Sequence, residues 1–211
     1  MKTIDYKTTK RNKNIYLFLP VLLILLLTLI TVKKAYSASN KNEISKYVID
    51  NLRLELRPFA VNTSEAFLQA RGFSQDQAKA VAKKACIHKL EIHNTATNAE
   101  NIAIIIDLKK WIVITSANPP THPPAVREVW PKRWQNTFAK NMPNKRAKIA
   151  FKWALFPTYQ VFWPADYNWG LIAFDLEANT EFKLQIQFKI DEKIYKKTFK
   201  NLRCGNYNGF T

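Results

Sequence analysis

The stretch Phe182–Ile190 reads FKLQIQFKI. Phe182, Leu184, Ile186, Phe188 and Ile190 fall on alternate positions, with Lys183, Gln185, Gln187 and Lys189 between them. A period of two places the five apolar side chains on one face of a strand and the polar ones on the other. Such a strand belongs to an antiparallel sheet with one face on a core. Asp191-Glu192 follows and reads as a tight turn into a second strand, Lys193–Leu202.

Working upstream, Cys86–His93 alternates in the same way, and Ile102–Ile106 and Trp111–Thr115 are short apolar runs. Lys148–Trp153 and Leu171–Phe174 add two further expected strands, with a modest helix near Trp134–Lys140. Short strands without long intervening helices and with proline-bearing loops predict a mainly β fold, an antiparallel β-sandwich or barrel over residues 86–205. At the level of fold alone this resembles immunoglobulin-like and cupredoxin-like sandwiches, and no motif carries residues across from either. Residues 206–211 are read as a C-terminal tail.

Before the sandwich a helical neck is expected over 34–85. Ile44, Val48, Leu52 and Leu56 recur every four residues and predict an amphipathic helix from Lys41 to Arg57, ended by Pro58. Ser64 is read as the N-cap of Glu65–Arg71, with Gly72 ending it, and Ser74 with Gln77 forms a capping box before an Ala/Lys-rich helix.

The N-terminal segment predicts location. Residues 1–14 form a basic tail, and Ile15–Val32 reads IYLFLPVLLILLLTLITV without a charge. At ~1.5 Å per residue this run spans roughly 27 Å, close to a ~30 Å hydrocarbon core. Residues 15–33 are therefore expected to be an uncleaved, single-pass transmembrane signal anchor in the inner (cytoplasmic) membrane. The lysines and Arg11 before it place the N-terminus in the cytoplasm and the C-terminal domain in the periplasm or outside the cell. The competing reading is a cleaved signal peptide ending near Ala35-Tyr36-Ser37. The run exceeds the ~7–15 residues usual for such a segment.

The chain of 211 residues has 33 basic and 16 acidic residues, a formal charge of +17. Beyond residue 34 the excess is still +11, from 26 basic against 15 acidic residues. A surface of that sign attracts anionic lipid, acidic protein or nucleic acid. For a domain tethered outside the cytoplasm, nucleic acid is the least expected of the three.

Chemistry is sparsely marked. No Gly-x-Ser-x-Gly elbow, Walker loop, Gly-x-Gly-x-x-Gly or His-Glu-x-x-His occurs, so no enzyme class is indicated. The two cysteines, Cys86 and Cys204, stand at the start of the first expected sandwich strand and the end of the last. Outside the cytoplasm they are expected to form a disulfide. An alternative uses Cys86 and His88, which share a strand face, with Met142 as a copper site of cupredoxin type. His93 falls on the opposite face of that strand, and a disulfide would consume the thiolate.

The densest unusual segment is Phe151–Phe174, where nine of 24 residues are aromatic. Core packing accounts for much of it, with Phe151 and Trp153 on their expected strand. Asp166–Gly170 reads as a turn. Tyr159, Trp163, Tyr167 and Trp169 are the candidates for an exposed, partner-binding surface, because rings supply large contact area at small entropic cost. Trp130 and Trp134 are candidates to extend that surface. The expected function is a membrane-anchored accessory protein, without a cofactor, that binds another membrane or envelope protein. A copper carrier or electron-transfer protein is the alternative.

Overall fold

Glu181–Ile190 is a strand, and its five alternating apolar residues are all buried. The structure, a computed structural model, describes residues 44–116 and 121–207. The apolar run 15–33, and with it the anchor, lies outside the described residues. No helix among those described is long and apolar enough to cross a membrane.

The elements in chain order are β1 (Ser45–Ile49), β2 (Leu52–Pro58), α1 (Val61–Gln69), α2 (Gln75–Lys84), β3 (Cys86–Asn94), β4 (Ile104–Asp107) and β5 (Ile112–Ile114). There follow β6 (Thr121–His122), α3 (Trp130–Asn136), α4 (Lys145–Ala154), β7 (Tyr159–Phe162), β8 (Tyr167–Phe174), β9 (Glu181–Ile190) and β10 (Lys193–Arg203). They form two antiparallel sheets in a sandwich-like arrangement. One has four strands in the order β1-β2-β3-β8. In the other β9 is central, flanked on one side by β10 and on the other by β4 and β5, which carry β7 and β6 in turn.

The main core lies between the sheets. Leu52, Leu54, Leu56, Leu90, Ile92, Ile172 and Phe174 come from the four-stranded sheet, and Ile104, Ile106, Leu184, Ile186 and Phe188 from the other. A second core forms where α1–α4 pack on part of the outer face of the four-stranded sheet, against Ile87, Leu171 and Ala173. Ile87 is therefore buried although it points away from the sandwich. Trp130, Trp134, Phe138, Phe73 and Phe151 interlock there, with ring centroids as close as 4.5 Å for Trp130 and Phe151.

Several sequence expectations are corrected. Lys41–Arg57 is not a helix: Ser45–Ile49 and Leu52–Pro58 are a β-hairpin whose second strand pairs with β3, so the expected neck is not wholly helical and its hairpin belongs to the sheet. A recurrence of four is a multiple of the strand period as well as close to the helical one. Leu54 completes the strand series Leu52-Leu54-Leu56, all three buried, whereas Val48 is 68% exposed. Asp50, at φ 44°, makes the turn.

The expected strand Lys148–Trp153 is part of α4. Asn144 caps that helix by accepting from the Ala147 backbone N–H, and Ala147 and Phe151, four apart, are its buried residues. The turn expected at Asp166–Gly170 lies earlier. Asp166 N–H donates to the Trp163 carbonyl, Ala165 takes φ 64°, and Tyr167–Gly170 is strand because it pairs with β3. Ser64 is buried inside α1 rather than capping it, and the expected Trp134–Lys140 helix begins at Trp130, where Pro131 occupies the first turn. Gly72 at φ 85° and the reciprocal Ser74/Gln77 capping box are as expected.

Two tight features join the layers. Cys86 and Cys204 form a disulfide across 118 residues, tying the start of β3 in one sheet to the end of β10 in the other. Asn94, fully buried at the end of β3, donates to the Ile102 and Phe162 carbonyls at 2.8 and 3.0 Å and accepts from Ala96 N–H. Gly170 marks a third close approach. A Cβ there would lie 2.7 Å from the Phe156 backbone, whose N–H donates to the Leu171 carbonyl.

Closing so long a loop restricts the unfolded chain, so the Cys86→Ser/Cys204→Ser variant is expected to lose about 2–5 kcal/mol of stability in urea unfolding. Asn94→Leu removes the donor to the part-buried Ile102 and buried Phe162 carbonyls and strands the buried Ala96 N–H. It is expected to cost about 2–3 kcal/mol by the same measurement.

Candidate functional site

The helices leave half of one sheet face uncovered. On the outer face of the four-stranded sheet, registered pairs align in rows across the strands. One row runs Val48, Arg53, His93, Tyr167 and the next runs Lys46, Glu55, Glu91, Trp169. A third begins with Arg57 and Lys89, then meets Leu171 under the helices. The open part is thus polar and charged along β2 and β3 and aromatic at β8.

The charges are paired side to side. Glu55 accepts from Arg53 at 2.6 Å and is bridged by Lys46 at 3.4 Å. Glu91 lies 2.6 Å from the Lys89 ammonium and accepts from the Tyr167 hydroxyl at 3.1 Å. Glu55 and Glu91 face each other across β2 and β3. Like charges so placed repel, and each carboxylate has its own cation. The Arg53 hydrogen bond holds Glu55 below the usual carboxylate range, and the one from Lys89 does the same for Glu91. Both are anions at neutral pH, which suits them to hydrogen bonding and charge recognition rather than to donating a proton. Partial burial, and then Glu91, push the Tyr167 phenol above its ordinary value.

Arg53, Glu55, Glu91, His93 and Tyr167 line a shallow depression of about 150 Å³. Pockets that enclose a drug-sized ligand run to ~300–1,000 Å³. This one is a shallow dimple on the open sheet face, below that range.

The four aromatic residues nominated from sequence are exposed: Tyr159 58%, Trp163 56%, Tyr167 53% and Trp169 51%. Tyr167 and Trp169 stand on the open sheet face, where the Lys89 ammonium sits 5.1 Å from the Trp169 ring centroid. Trp163 opens the turn into β8, its N–H held by the Asp166 carboxylate at 2.8 Å. Tyr159 begins β7 in the other sheet. Trp130 and Trp134, by contrast, do not join that surface. Their spacing of four puts them on the buried face of α3, and they are 2% and 4% exposed.

The copper alternative fares differently. Cys86 and His88 lie together on the inner face, 3.7 Å apart from Sγ to Nδ1, but the sulfur is bonded to Cys204. Met142 is on the helical side, near Lys148, and is not brought to them. No group of three or more His, Cys, Asp or Glu side chains converges among the described residues.

His88 instead is enclosed by the Phe174 and Phe182 rings, with no hydrogen bond to Nε2. Burial holds its pKa down, to about 3, against a smaller opposing pull from the Arg203 backbone.

Sequence reasoning missed Glu55, Glu91 and Arg53, because their juxtaposition depends on β2–β3 pairing across an inserted helical hairpin. It also placed Trp153 with the core. In α4 that side chain turns outward and is 72% exposed. Helical spacing from Phe151 was the signal available for it.

Comparison of the chain with protein-family models, curated proteins and solved structures found no match. The class defined here is accordingly a structural one: a two-sheet, mainly β domain with a four-helix outer layer and a half-open sheet.

The unfolded His88 binds a proton near its ordinary value of 6.5 and the folded one only near 3. The contribution of neutral, buried His88 to stability is therefore complete above about pH 6.5 and is lost as pH falls between those values, at up to ~1.4 kcal/mol per pH unit. Urea midpoints are expected to drop by the equivalent of about 2–3 kcal/mol between pH 7 and 4.5. His88→Leu should flatten that dependence above pH 5, where the paired carboxylates are still charged.

Proposed function

We propose that this protein is a membrane-anchored, extracytoplasmic interaction module, whose open half-sheet receives another membrane or envelope protein. The observation that carries the reading is the incomplete coverage of one sheet face: α1–α4 bury Ile87, Leu171 and Ala173, and stop short of Tyr167 and Trp169. Half-exposed Tyr167 and Trp169 near Arg53 supply residue types enriched at protein-binding surfaces. Rigid strands hold them, so a partner meets a preorganised face at little entropic cost. The likeness to immunoglobulin-like sandwiches enters here as an analogy of use, a two-sheet scaffold presenting one face.

The anchor supplies the location. Residues 15–33 hold the chain in the inner membrane with the N-terminus cytoplasmic, and the long-range disulfide supports an oxidising far side. Confinement beside a bilayer raises the effective concentration for a membrane-bound partner.

The test combines topology and contact. An alkaline phosphatase fused after residue 211 should be active, and a fluorescent protein in its place dark. A photo-crosslinking amino acid at position 167 or 169 should give a discrete adduct in whole cells that the exposed Ile194 position on β10 does not. Trp163→Ala/Trp169→Ala should weaken recovery of that adduct's partner by roughly thirtyfold or more, at about 2 kcal/mol for a hot-spot ring. Undiminished recovery with a folded double variant would remove this face as the binding surface.

A further inference from the structure

A second surface, on the helical layer, has a different chemistry. Between α3 and α4 runs a groove of about 350 Å³, floored by Trp130, Trp134 and Phe151 and rimmed by Arg127, Lys145, Lys148 and Lys152. No acidic residue lines it. Among the described residues Lys145, Lys148 and Lys152 form no ion pair; Lys148 approaches only the Met142 sulfur, at 3.8 Å. The first turn of α4 carries no acid. Cations at that end of a helix gain nothing from its dipole. Lys145 and Lys148 therefore have no stabilising partner inside the fold, whereas Lys152, in the last turn, is favoured by the helix dipole.

Apolar groups stand among them. Trp153 is 72%, Ile149 47% and Met142 39% exposed, and the Arg127 guanidinium lies 5.8 Å from the Trp153 ring centroid. A helix that projects Trp and Ile through a field of lysines has the make-up of an interfacial membrane-binding element: rings and aliphatic groups enter the headgroup region while the ammonium groups meet lipid phosphates. Lysine is depleted in protein interfaces, where arginine and its directional hydrogen bonds are favoured, so the lysine rim points to lipid rather than to an acidic protein.

We propose that the α3–α4 face rests on the anionic lipid headgroups of the membrane in which the chain is anchored. This rests on the anchor reading above. Between Val32, the end of the apolar run, and Ser45 there are twelve residues, a span of at most ~40–43 Å at full extension, which keeps the domain beside the bilayer. Each lysine near an anionic surface contributes about 1 kcal/mol, so three suffice to bias a tethered domain strongly.

The experiment is lysine footprinting of the full-length protein in nanodiscs, with an amine-reactive ester read out by mass spectrometry. The discs are neutral phosphatidylcholine or the same lipid with one-third phosphatidylglycerol. Labelling of Lys145, Lys148 and Lys152 should fall several-fold in the anionic discs and recover in high salt, while Lys196 and Lys200 on β10 stay labelled. Trp153→Ser/Ile149→Ser should reduce the protection with the lysines intact. A chain that enters both discs yet labels equally overturns the docking alone, including the case where another protein is the true occupant. A chain that fails to enter either disc overturns the anchor, and the docking with it.

Discussion

The inner face of the four-stranded sheet sets the terms for the rest of the molecule. Leu52, Leu54, Leu56, Leu90 and Ile92 are wholly or almost wholly withdrawn from water, which requires a second apolar surface of equal extent. β9 provides its centre, with five alternating side chains, and β4, β5 and β10 widen it. Burying one such side chain is worth about 1.5–3 kcal/mol, and none of these strands could pair stably without that transfer. The sheets are also held chemically, by the disulfide at one end of β3 and by the buried Asn94 amide at the other.

The outer face of the same sheet obeys a different rule. Where its residues are Ile87, Leu171 and Ala173 it must be covered, and a helical layer with its own aromatic core covers it. Where they are Arg53, Glu55, Lys89, Glu91 and His93, burial would demand desolvation of charges that a protein rarely recovers. The helices stop, and although Glu55 is itself only 9% exposed, its cations Lys46 and Arg53 keep the paired ions in contact with water. The candidate binding face is thus the part of the sheet that the core has no use for, and its aromatic margin at Tyr167 and Trp169 is what distinguishes it from an ordinary solvated face.

The two proposed surfaces divide the work by chemistry. The half-sheet carries paired ions of both signs on rigid strands, and is the surface proposed to receive a folded partner. The α3–α4 face is unbalanced and lysine-rich, with a protruding Trp153, a surface for a charged boundary of no fixed shape. A tethered domain that touches both a bilayer and a neighbour would be held in a defined attitude toward each.

How much of this was legible beforehand follows from the range of the forces involved. The alternation of Phe182–Ile190, the hairpin at Asp191-Glu192 and the Ser74/Gln77 capping box are set by residues within a few positions of one another, and sequence alone determined them. The position of each cysteine at a strand end likewise suggested the bridge that forms. Period-four and alternating patterns were ambiguous. Leu52 and Leu56 fit helix or strand, and Lys148–Trp153 fits either, until pairing with β3 and packing of Phe151 against Trp130 decided them. The site lay further out of reach. Nothing local to Glu55 or Glu91 shows that the 35 intervening residues, helical hairpin included, fold away to set them side by side. That proximity comes from sheet register, a property of the assembled core rather than of any segment. The choice of which aromatic rings remain in water was settled there as well.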